Sequence, residues 1–395
     1  MGVRGLHWVG AAVCVAALAA CGLVPPTGTP GEPGSGEPQP GASAPAVTPT
    51  PTPTPEPPRR LSITVSGDLL WHKGLLADAA QAGKDVGAAY DFVPVFEHIR
   101  PLIEDADVSI CHVEVPVAPP GVKPVGYPVF AAPPETIEAA KEVGFDYCTT
   151  ASNHTFDQGM AGIDATLDAL DAAGIVHTGA YREQADVGKP AILTTASGVK
   201  VAVVAGAYGS NLKAPGGRTW ALDLLDAEAM VARGEAAREA GADIVLAAMH
   251  AGTEQQHQPN GQQVAAATTL AESGVFNLVY GHHAHVAQPW DRINDTWVVY
   301  GGGNLIGQMR VATPRSWEQY LGRLTFERQG EAWVAVEAEY VPLLVTLSRP
   351  GAPARVLDVN KALAEGRGDA ERLKVAKQQV AKAVGMLGAE VTEVG

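Results

Sequence analysis

The sequence predicts an α/β fold whose central strands run largely parallel. Short apolar runs, typical of buried strands, alternate along the chain with stretches of helical periodicity. Such alternation is characteristic of βαβ units, in which a helix connects two parallel strands. In addition, polar motifs rich in histidine follow several of the apolar runs, which places them at the carboxyl ends of the strands.

The individual elements follow from these patterns. The predicted strands are Leu61–Ser66, Asp107–Val113, Phe145–Ala151, Val199–Gly206, Ile244–Met249, Val275–Tyr280 and Thr296–Tyr300. The predicted helices between them are Phe92–Glu104, Pro134–Val143, Ala161–Ala173, Ala227–Ala240 and Gln262–Ser273. The later strands Tyr320–Glu327 and Trp333–Tyr340 lie closer together, which indicates an antiparallel portion or a second sheet. Residues 369–387 carry an apolar stripe at helical spacing.

Four segments make up the chain. Residues 1–21 are typical of an export signal: Arg4 precedes a short apolar run, which ends in a lipoprotein-type cleavage box at Cys21. Residues 22–58 contain 13 prolines and almost nothing apolar, so we expect a disordered linker. Residues 59–345 form the predicted catalytic domain, and residues 346–395 a C-terminal helical appendage. This organisation predicts an extracytoplasmic protein held to the cell membrane by a lipid on Cys21.

Charge excludes one class of partner. The chain has 28 Lys and Arg against 43 Asp and Glu, a formal net charge of −15. Because nucleic-acid binding depends on a basic surface that neutralises phosphates, we expect no nucleic-acid partner.

Two cysteines, Cys111 and Cys148, lie within predicted strands of the domain. An exported protein can form disulfides, but the geometry across neighbouring strands is often poor. Two buried thiols are therefore the favoured interpretation, and a bridge between neighbouring strands is the alternative.

Seven of the 11 histidines fall in five short motifs where predicted strands end. Since the carboxyl ends of parallel strands form the active-site edge of an open sheet, these motifs are expected to meet. Imidazole, carboxylate and amide oxygen together suit divalent ions such as Mn, Fe or Zn. The motifs are Gly67-Asp68-Leu69-Leu70-Trp71-His72, His112-Val113-Glu114-Val115-Pro116, Ser152-Asn153-His154-Thr155-Phe156-Asp157-Gln158-Gly159, His250-Ala251-Gly252-Thr253-Glu254 and Gly281-His282-His283-Ala284-His285-Val286.

This set of motifs, together with Gly303-Asn304, resembles the CapA family of poly-γ-glutamate capsule synthesis proteins, within the calcineurin-like metallophosphatase superfamily. The resemblance covers about residues 62–342. The chain departs from the family pattern at His112, where the family has Asn, and at Ala251 and Ala284, where it has Trp and Pro. The resemblance implies a four-layer α-β-β-α sandwich with the ligands on strand-end loops.

The resemblance also implies roles for individual residues. One of two divalent ions is expected on Asp68, Glu114 and His285, and the other on Glu114, Asn153, His250 and His283, with Glu114 shared. Two such ions would polarise a phosphoryl oxygen and activate water. His154 is expected to protonate the leaving oxygen, and Asp157 to orient His154.

Other residues near the motifs keep alternative interpretations. His72 could replace the histidine of the superfamily's first motif, although its spacing from Asp68 differs. His112 could line the pocket, and Glu254 could contact substrate or lie in solvent. We expect His282 to be structural, because in an extended segment it points away from His283 and His285. Asn304 is a candidate for substrate contact or support of the ligands.

Together these features predict a lipid-anchored phosphoesterase-like protein that acts in synthesis, export or anchoring of an anionic surface polymer. Its expected partners are the membrane, that polymer or a phosphoester, and proteins that synthesise or export the polymer. One alternative is a secreted nucleotidase or phosphodiesterase of the same fold. The other is a non-enzymatic accessory of a membrane synthase complex.

Overall fold

The strands form two sheets in a computed structural model, which describes residues 59–309 and 314–395. These residues belong to one compact unit, Glu56–Gly395. The predicted export signal with Cys21 and the proline-rich linker lie outside the described residues. Within the described ranges, no helix has the length and apolar character needed to cross a membrane.

In the described ranges, the elements have the following bounds. The strands are β1 (Arg60–Leu69), β2 (Val108–Val113), β3 (Tyr147–Thr149), β4 (Val176–Thr178), β5 (Ile192–Thr194), β6 (Lys200–Ala207), β7 (Ile244–His250), β8 (Leu278–His282), β9 (Trp290–Ile293), β10 (Thr296–Val299), β11 (Glu318–Gln329), β12 (Ala332–Val345), β13 (Val356–Asp358) and β14 (Thr392–Glu393). The helices are α1 (Lys73–Val86), α2 (Val93–Phe96), α3 (Arg100–Glu104), α4 (Glu135–Glu142), α5 (Gly159–Ala173), α6 (Ala227–Glu239), α7 (Gly261–Glu272), α8 (Val359–Ala364) and α9 (Ala370–Val384).

The first sheet has the order β13-β12-β11-β1-β2-β3-β4, and β14 pairs with β12. Strands β1 to β4 are parallel, as predicted, whereas β11, β12 and β13 add an antiparallel portion. The second sheet has the order β5-β6-β7-β8-β10-β9, and β6, β7, β8 and β10 are parallel. The carboxyl ends of β1, β2 and β3 and of β7 and β8 carry the histidine-rich motifs.

The two sheets pack face to face, with helices on the outside. Along β6, Val201, Val203 and Ala205 join the core that the sheets share, while Ala202 and Val204 join a second core formed with α6 and α7. Alternate residues of a strand point to opposite faces, so this division shows that the second sheet is covered on both sides. The predicted α/β class with two stacked sheets is therefore confirmed.

The predicted helix Phe92–Glu104 is wrong as one element, because it is divided into α2 and α3. Pro94 and Pro101 each stand in the first turn of one of these short helices. Proline has no N–H to donate and its ring crowds the preceding turn, so Pro101 can begin a helix but cannot continue one.

Residues 346–395, predicted as a helical appendage, add β13 to the first sheet through pairs with β12. Helix α9 buries Leu373, Ala376 and Val380 in the core shared with both sheets. The predicted apolar stripe of this segment is thus the face that packs.

Cys111 and Cys148 form a disulfide, so the favoured prediction of two thiols is wrong. The two residues are direct partners in the register of the parallel strands β2 and β3. Their Cα atoms lie 4.5 Å apart, within the range that a disulfide spans. The bridge therefore joins the two strands that lead into the Glu114 and Asn153 motifs.

Candidate metal centre

Six buried side chains meet where the carboxyl ends of the two sheets face each other. The first sheet contributes Asp68 from the end of β1, Glu114 directly after β2 and Asn153 shortly after β3. The second sheet contributes imidazoles: His250 is the last residue of β7, and His283 and His285 follow β8. The structure thus brings together all six residues predicted as metal ligands.

The first ligand group consists of Asp68, Glu114 and His285, whose ligand atoms lie within 4.8 Å of one another. Asp68 Oδ2 is 3.1 Å from His285 Nδ1, and Glu114 Oε1 is 3.6 Å from His285 Nε2. Asp68 Oδ2 also accepts the backbone N–H of His283, at 3.2 Å. These are the residues predicted for one of the two ions.

The second ligand group consists of Glu114, His250 and His283, again within 4.8 Å. The amide oxygen of Asn153 is 2.8 Å from His250 Nε2, so Asn153 lies beside this second ligand group. Glu114 is common to both groups. The arrangement therefore has the form predicted for two ions that share one carboxylate.

The chemistry of Glu114 fits a cation. Both of its carboxylate oxygens are buried and have no hydrogen-bond partner. Burial raises the pKa of Glu114 well above its ordinary value, although the charge on His285 acts in the opposite direction. A buried carboxylate without partners is unfavourable, and a divalent ion would supply the missing positive charge.

The imidazoles of His250 and His283 are in the protonation state that metal binding needs, whereas Glu114 and Asp68 raise the pKa of His285 to about 10 against the effect of its burial. Burial lowers the pKa of His283 to about 4 and lowers the pKa of His250 well below its ordinary value. Both rings are therefore neutral at pH 7, and each retains a nitrogen lone pair for an ion.

His283 and His285 do not lie in an extended segment, which corrects the geometry expected from their spacing. Their φ angles are +83° and +56°, in the left-handed region that non-glycine residues rarely adopt. The turn still directs both rings into the centre. Left-handed residues of this kind concentrate at functional sites, where surrounding contacts hold them in place.

Asn304 supports His285. Its Oδ1 lies 2.8 Å from His285 Nδ1, and its amide donates to the backbone oxygen of Ser316. With Nδ1–H donated to Asn304, His285 presents Nε2 toward Glu114. Asn304 therefore contacts His285, one of the predicted metal ligands.

The Gly67-Asp68 and Gly303-Asn304 motifs touch. Asp68 N–H donates to the backbone oxygen of Gly303 at 3.0 Å. A Cβ on Gly67 would lie 2.0 Å from that same oxygen, so a side chain cannot be accommodated there. The two motifs are 236 residues apart in sequence yet form one backbone contact that places Asp68 beside His285.

His154 and Asp157 form the predicted pair. His154 Nδ1 is 2.7 Å from Asp157 Oδ2, which also accepts the backbone N–H of Phe130 at 2.8 Å. The rings of His154 and Phe130 pack at nearly a right angle, with their centroids 4.9 Å apart. Because its Nδ1 is engaged by Asp157, His154 has Nε2 for a reacting group, and that nitrogen lies 3.5 Å from Asn211 Nδ2.

The remaining candidates take different places. His72 lies outside the four ligand groups found in the described ranges: its Nδ1 accepts the backbone N–H of Gln308 at 3.1 Å. Glu254 is exposed but forms a ligand group with His283 and His285.

His282 and His112 lie on the buried side of the centre. His282 Nδ1 is 3.0 Å from Asp68 Oδ1, so its ring contacts a predicted ligand. His112 forms a ligand group with Asp68 and His250, and its Nε2 is 3.0 Å from His250 Nδ1. His112 is buried and contacts the ring of the predicted ligand His250.

Sequence reasoning missed Tyr208 and Asn211. Tyr208 is 41% exposed, and the centroid of its ring lies 4.6 Å from that of the His283 ring. The backbone N–H of Asn211 donates to the backbone oxygen of Asn153. Both follow the carboxyl end of β6, at the same edge as the other motifs. Their position after a predicted strand was the available signal, but they carry no histidine or carboxylate.

Residues 62–309 match the family described as bacterial capsule synthesis protein PGA_cap. The chain belongs to this family. The capsule biosynthesis protein CapA of Bacillus anthracis is 27% identical over 260 residues, which cover 62% of this chain and 60% of that protein. The PGA biosynthesis protein CapA of Bacillus subtilis is 24% identical, covering 62% and 63%. The matches thus span about three fifths of the length of these two relatives of the capsule synthesis family.

Solved structures with similarity to this capsule synthesis family member include phosphatases. A novel phosphatase of Mycoplasma pneumoniae matches with a TM-score of 0.42 and 14% identity, covering 73% of this chain and 94% of that one. The calcineurin-like phosphoesterase YfkN of Bacillus subtilis matches with a TM-score of 0.39 and 15% identity, covering 82% and 98%.

Proposed function

We propose that this protein is a metal-dependent hydrolase with a phosphoesterase-like centre that holds two divalent ions. The observation that carries the proposal is the buried carboxylate of Glu114, which is common to two ligand groups and has no hydrogen-bond partner of its own. Ions of the Mn, Fe or Zn class suit the donor set of carboxylate, amide oxygen and imidazole.

The ions would supply Lewis-acid polarisation of a phosphoryl oxygen and activation of water. The chain's own residues do the rest. Asp157 contacts the Nδ1 side of the His154 ring and orients it, so that Nε2 can give a proton to the leaving oxygen. Asn211 and Tyr208 stand at the opening of the centre, where a substrate would enter.

The biological substrate that we propose is an anionic surface polymer or a phosphoester formed during its assembly. Membership of the capsule synthesis family supports a part in synthesis, export or anchoring of such a polymer, and a poly-γ-glutamate-like chain is the class favoured by the relatives' names. The export signal and Cys21 support an extracytoplasmic position on the membrane, next to proteins that synthesise or export the polymer.

The test is to purify the protein, measure bound metal, and assay hydrolysis after loading with Mn, Fe or Zn. The substrates are phosphomonoesters, phosphodiesters and free nucleotides, with poly-γ-glutamate assayed separately for cleavage. We expect close to two ions per chain and hydrolysis that a chelator abolishes. A strong preference for free nucleotides would favour a nucleotidase, and bound metal without turnover on any substrate would favour a non-enzymatic accessory. A protein that remains metal-free after loading would refute the proposal.

A further inference from the structure

His112 crosses from the first sheet to the second. Within its own sheet it is paired in register with Asp68 of β1 and Thr149 of β3. Its ring, which is buried, reaches across to β7 and β8, where it contacts His250 and stacks on His282 with the centroids 4.0 Å apart. These contacts, together with the one between His112 Nδ1 and Thr149 Oγ1, hold the ring on one face and at both nitrogens.

A continuous chain of polar contacts runs through this ring. Asn153 Oδ1 is 2.8 Å from His250 Nε2, His250 Nδ1 is 3.0 Å from His112 Nε2, and His112 Nδ1 is 2.8 Å from Thr149 Oγ1. A neutral imidazole has one donor and one acceptor nitrogen, and a hydroxyl can do either. The chain can therefore be satisfied in two directions.

Without metal, the amide oxygen of Asn153 can only accept, so His250 carries its proton on Nε2. His250 Nδ1 then accepts from His112 Nε2–H, and His112 Nδ1 accepts from the Thr149 hydroxyl. With an ion on His250 Nε2, the His250 proton must be on Nδ1. It is then donated to His112 Nε2, and His112 Nδ1–H is donated to Thr149.

We infer that His112 is a positioning residue that allows His250 to change tautomer when metal binds, by reversing the hydrogen bonds from Asn153 to Thr149. This inference rests on the proposed metal centre and deepens it. A residue that could only donate or only accept would leave one buried nitrogen unpaired in one of the two states, which is unfavourable. His112 serves both states without a change of net charge.

The decisive variants are His112→Leu, which removes both polar atoms, and His112→Gln, whose amide can turn to donate or accept. Outer-sphere partners of metal-binding histidines typically change metal affinity by about 10–100-fold. We expect that loss in His112→Leu for one of the two ions, measured by zinc titration against a chelator, and recovery to within a few-fold of wild type in His112→Gln. Thr149→Val should show a smaller loss, and Thr178→Val, the neighbouring threonine in the register of β4, should show none.

The tautomers give a second readout. Nitrogen-15 NMR of the imidazoles should show that, when zinc is added to the metal-free protein, the protonated nitrogen changes from Nε2 to Nδ1 in both His250 and His112. If His112→Leu does not fold, Thr149→Val carries the test, because it retains every imidazole. The affinity and NMR measurements do not depend on hydrolysis. They therefore distinguish failure of the proposed reaction from failure of this inference about His112.

Two results would overturn the inference. One is unchanged affinity for both ions in His112→Leu, together with a His112 tautomer that is the same with and without zinc. The other is a wild-type protein that binds three ions where His112→Leu binds two, since His112 would then be a ligand itself.

Discussion

Replacing Glu114 by Gln separates the burial of this side chain from its capacity to bind metal, because Gln has nearly the same shape but does not titrate. Burial raises the pKa of the Glu114 carboxyl well above 4.5, against the opposing charge of His285. In the metal-free protein, a folded chain therefore binds more protons than an unfolded one above pH 4.5. The wild type consequently loses stability as pH rises from that value toward the folded pKa.

The size of the effect follows from this linkage. One pKa unit corresponds to about 1.4 kcal/mol. Between pH 5 and pH 6, the free energy of unfolding of metal-free Glu114→Gln should therefore gain on that of the wild type by up to about 1.4 kcal/mol. With metal the order should reverse, because a neutral amide is the poorer ligand. An ion present at 100 times its dissociation constant stabilises the folded wild type by about 2.7 kcal/mol.

The assay is urea denaturation of chelator-treated protein at several pH values, repeated with saturating zinc. The matched control is Glu239→Gln, which makes the same change on an exposed side chain of α6 that belongs to none of the four ligand groups found in the described ranges. If the difference in free energy of unfolding between metal-free wild type and Glu114→Gln does not change with pH, the inference that Glu114 is buried in its protonated form is refuted. If zinc stabilises Glu114→Gln as much as it stabilises the wild type, Glu114 is not a metal ligand.

Three further predictions address the acid, the metal and the anchor. His154→Ala should retain its bound metal but lose roughly 10²–10⁴ in the rate of hydrolysis of alkyl phosphoesters. The loss should be smaller for nitrophenyl esters, because their leaving group needs no proton. Metal analysis and steady-state kinetics check this. Replacing His283 and His285 together by Ala should remove most bound metal, measured by elemental analysis, and near-stoichiometric binding in that variant would contradict the ligand assignment. Cys21→Ser should move the protein out of the membrane fraction, as seen by fractionation and immunoblotting, whereas a variant that stays with the membrane after signal cleavage would exclude Cys21 as the anchor.

The parts of the fold that the sequence predicted are those with a strong local pattern. Strands such as β6 and β7 are continuous apolar runs, and their predicted bounds lie within one or two residues of those observed. Strands β4, β5 and β13 were not predicted; like β3 they have three residues each, but they lack the longer apolar run that indicated β3. Their existence depends on pairing with a neighbouring strand, and pairing is a property of the whole sheet.

The centre was predictable for a similar reason. Each candidate ligand stands at the end of an apolar run, and the fold gathers such ends at one edge. The link between His112 and His250 spans 138 residues and depends on how two sheets face each other, which no local pattern records. The bridge between Cys111 and Cys148 likewise depends on strand register. The left-handed turn at His283 and His285 could not be predicted from their spacing, because residues two apart also face the same way in an extended strand.

The division of the ligands between the two sheets has a consequence for the assembly of the molecule. The first and second ligand groups, which share Glu114, each combine oxygen donors from the first sheet with imidazoles from the second, so an ion bound in either group would act as a cross-link between the halves. The availability of metal would then determine how firmly the halves are joined, as well as how fast any reaction proceeds. A metal-free chain would fold around buried histidines and the buried Glu114 carboxyl, and the two sheets would lack this cross-link until the ions bind.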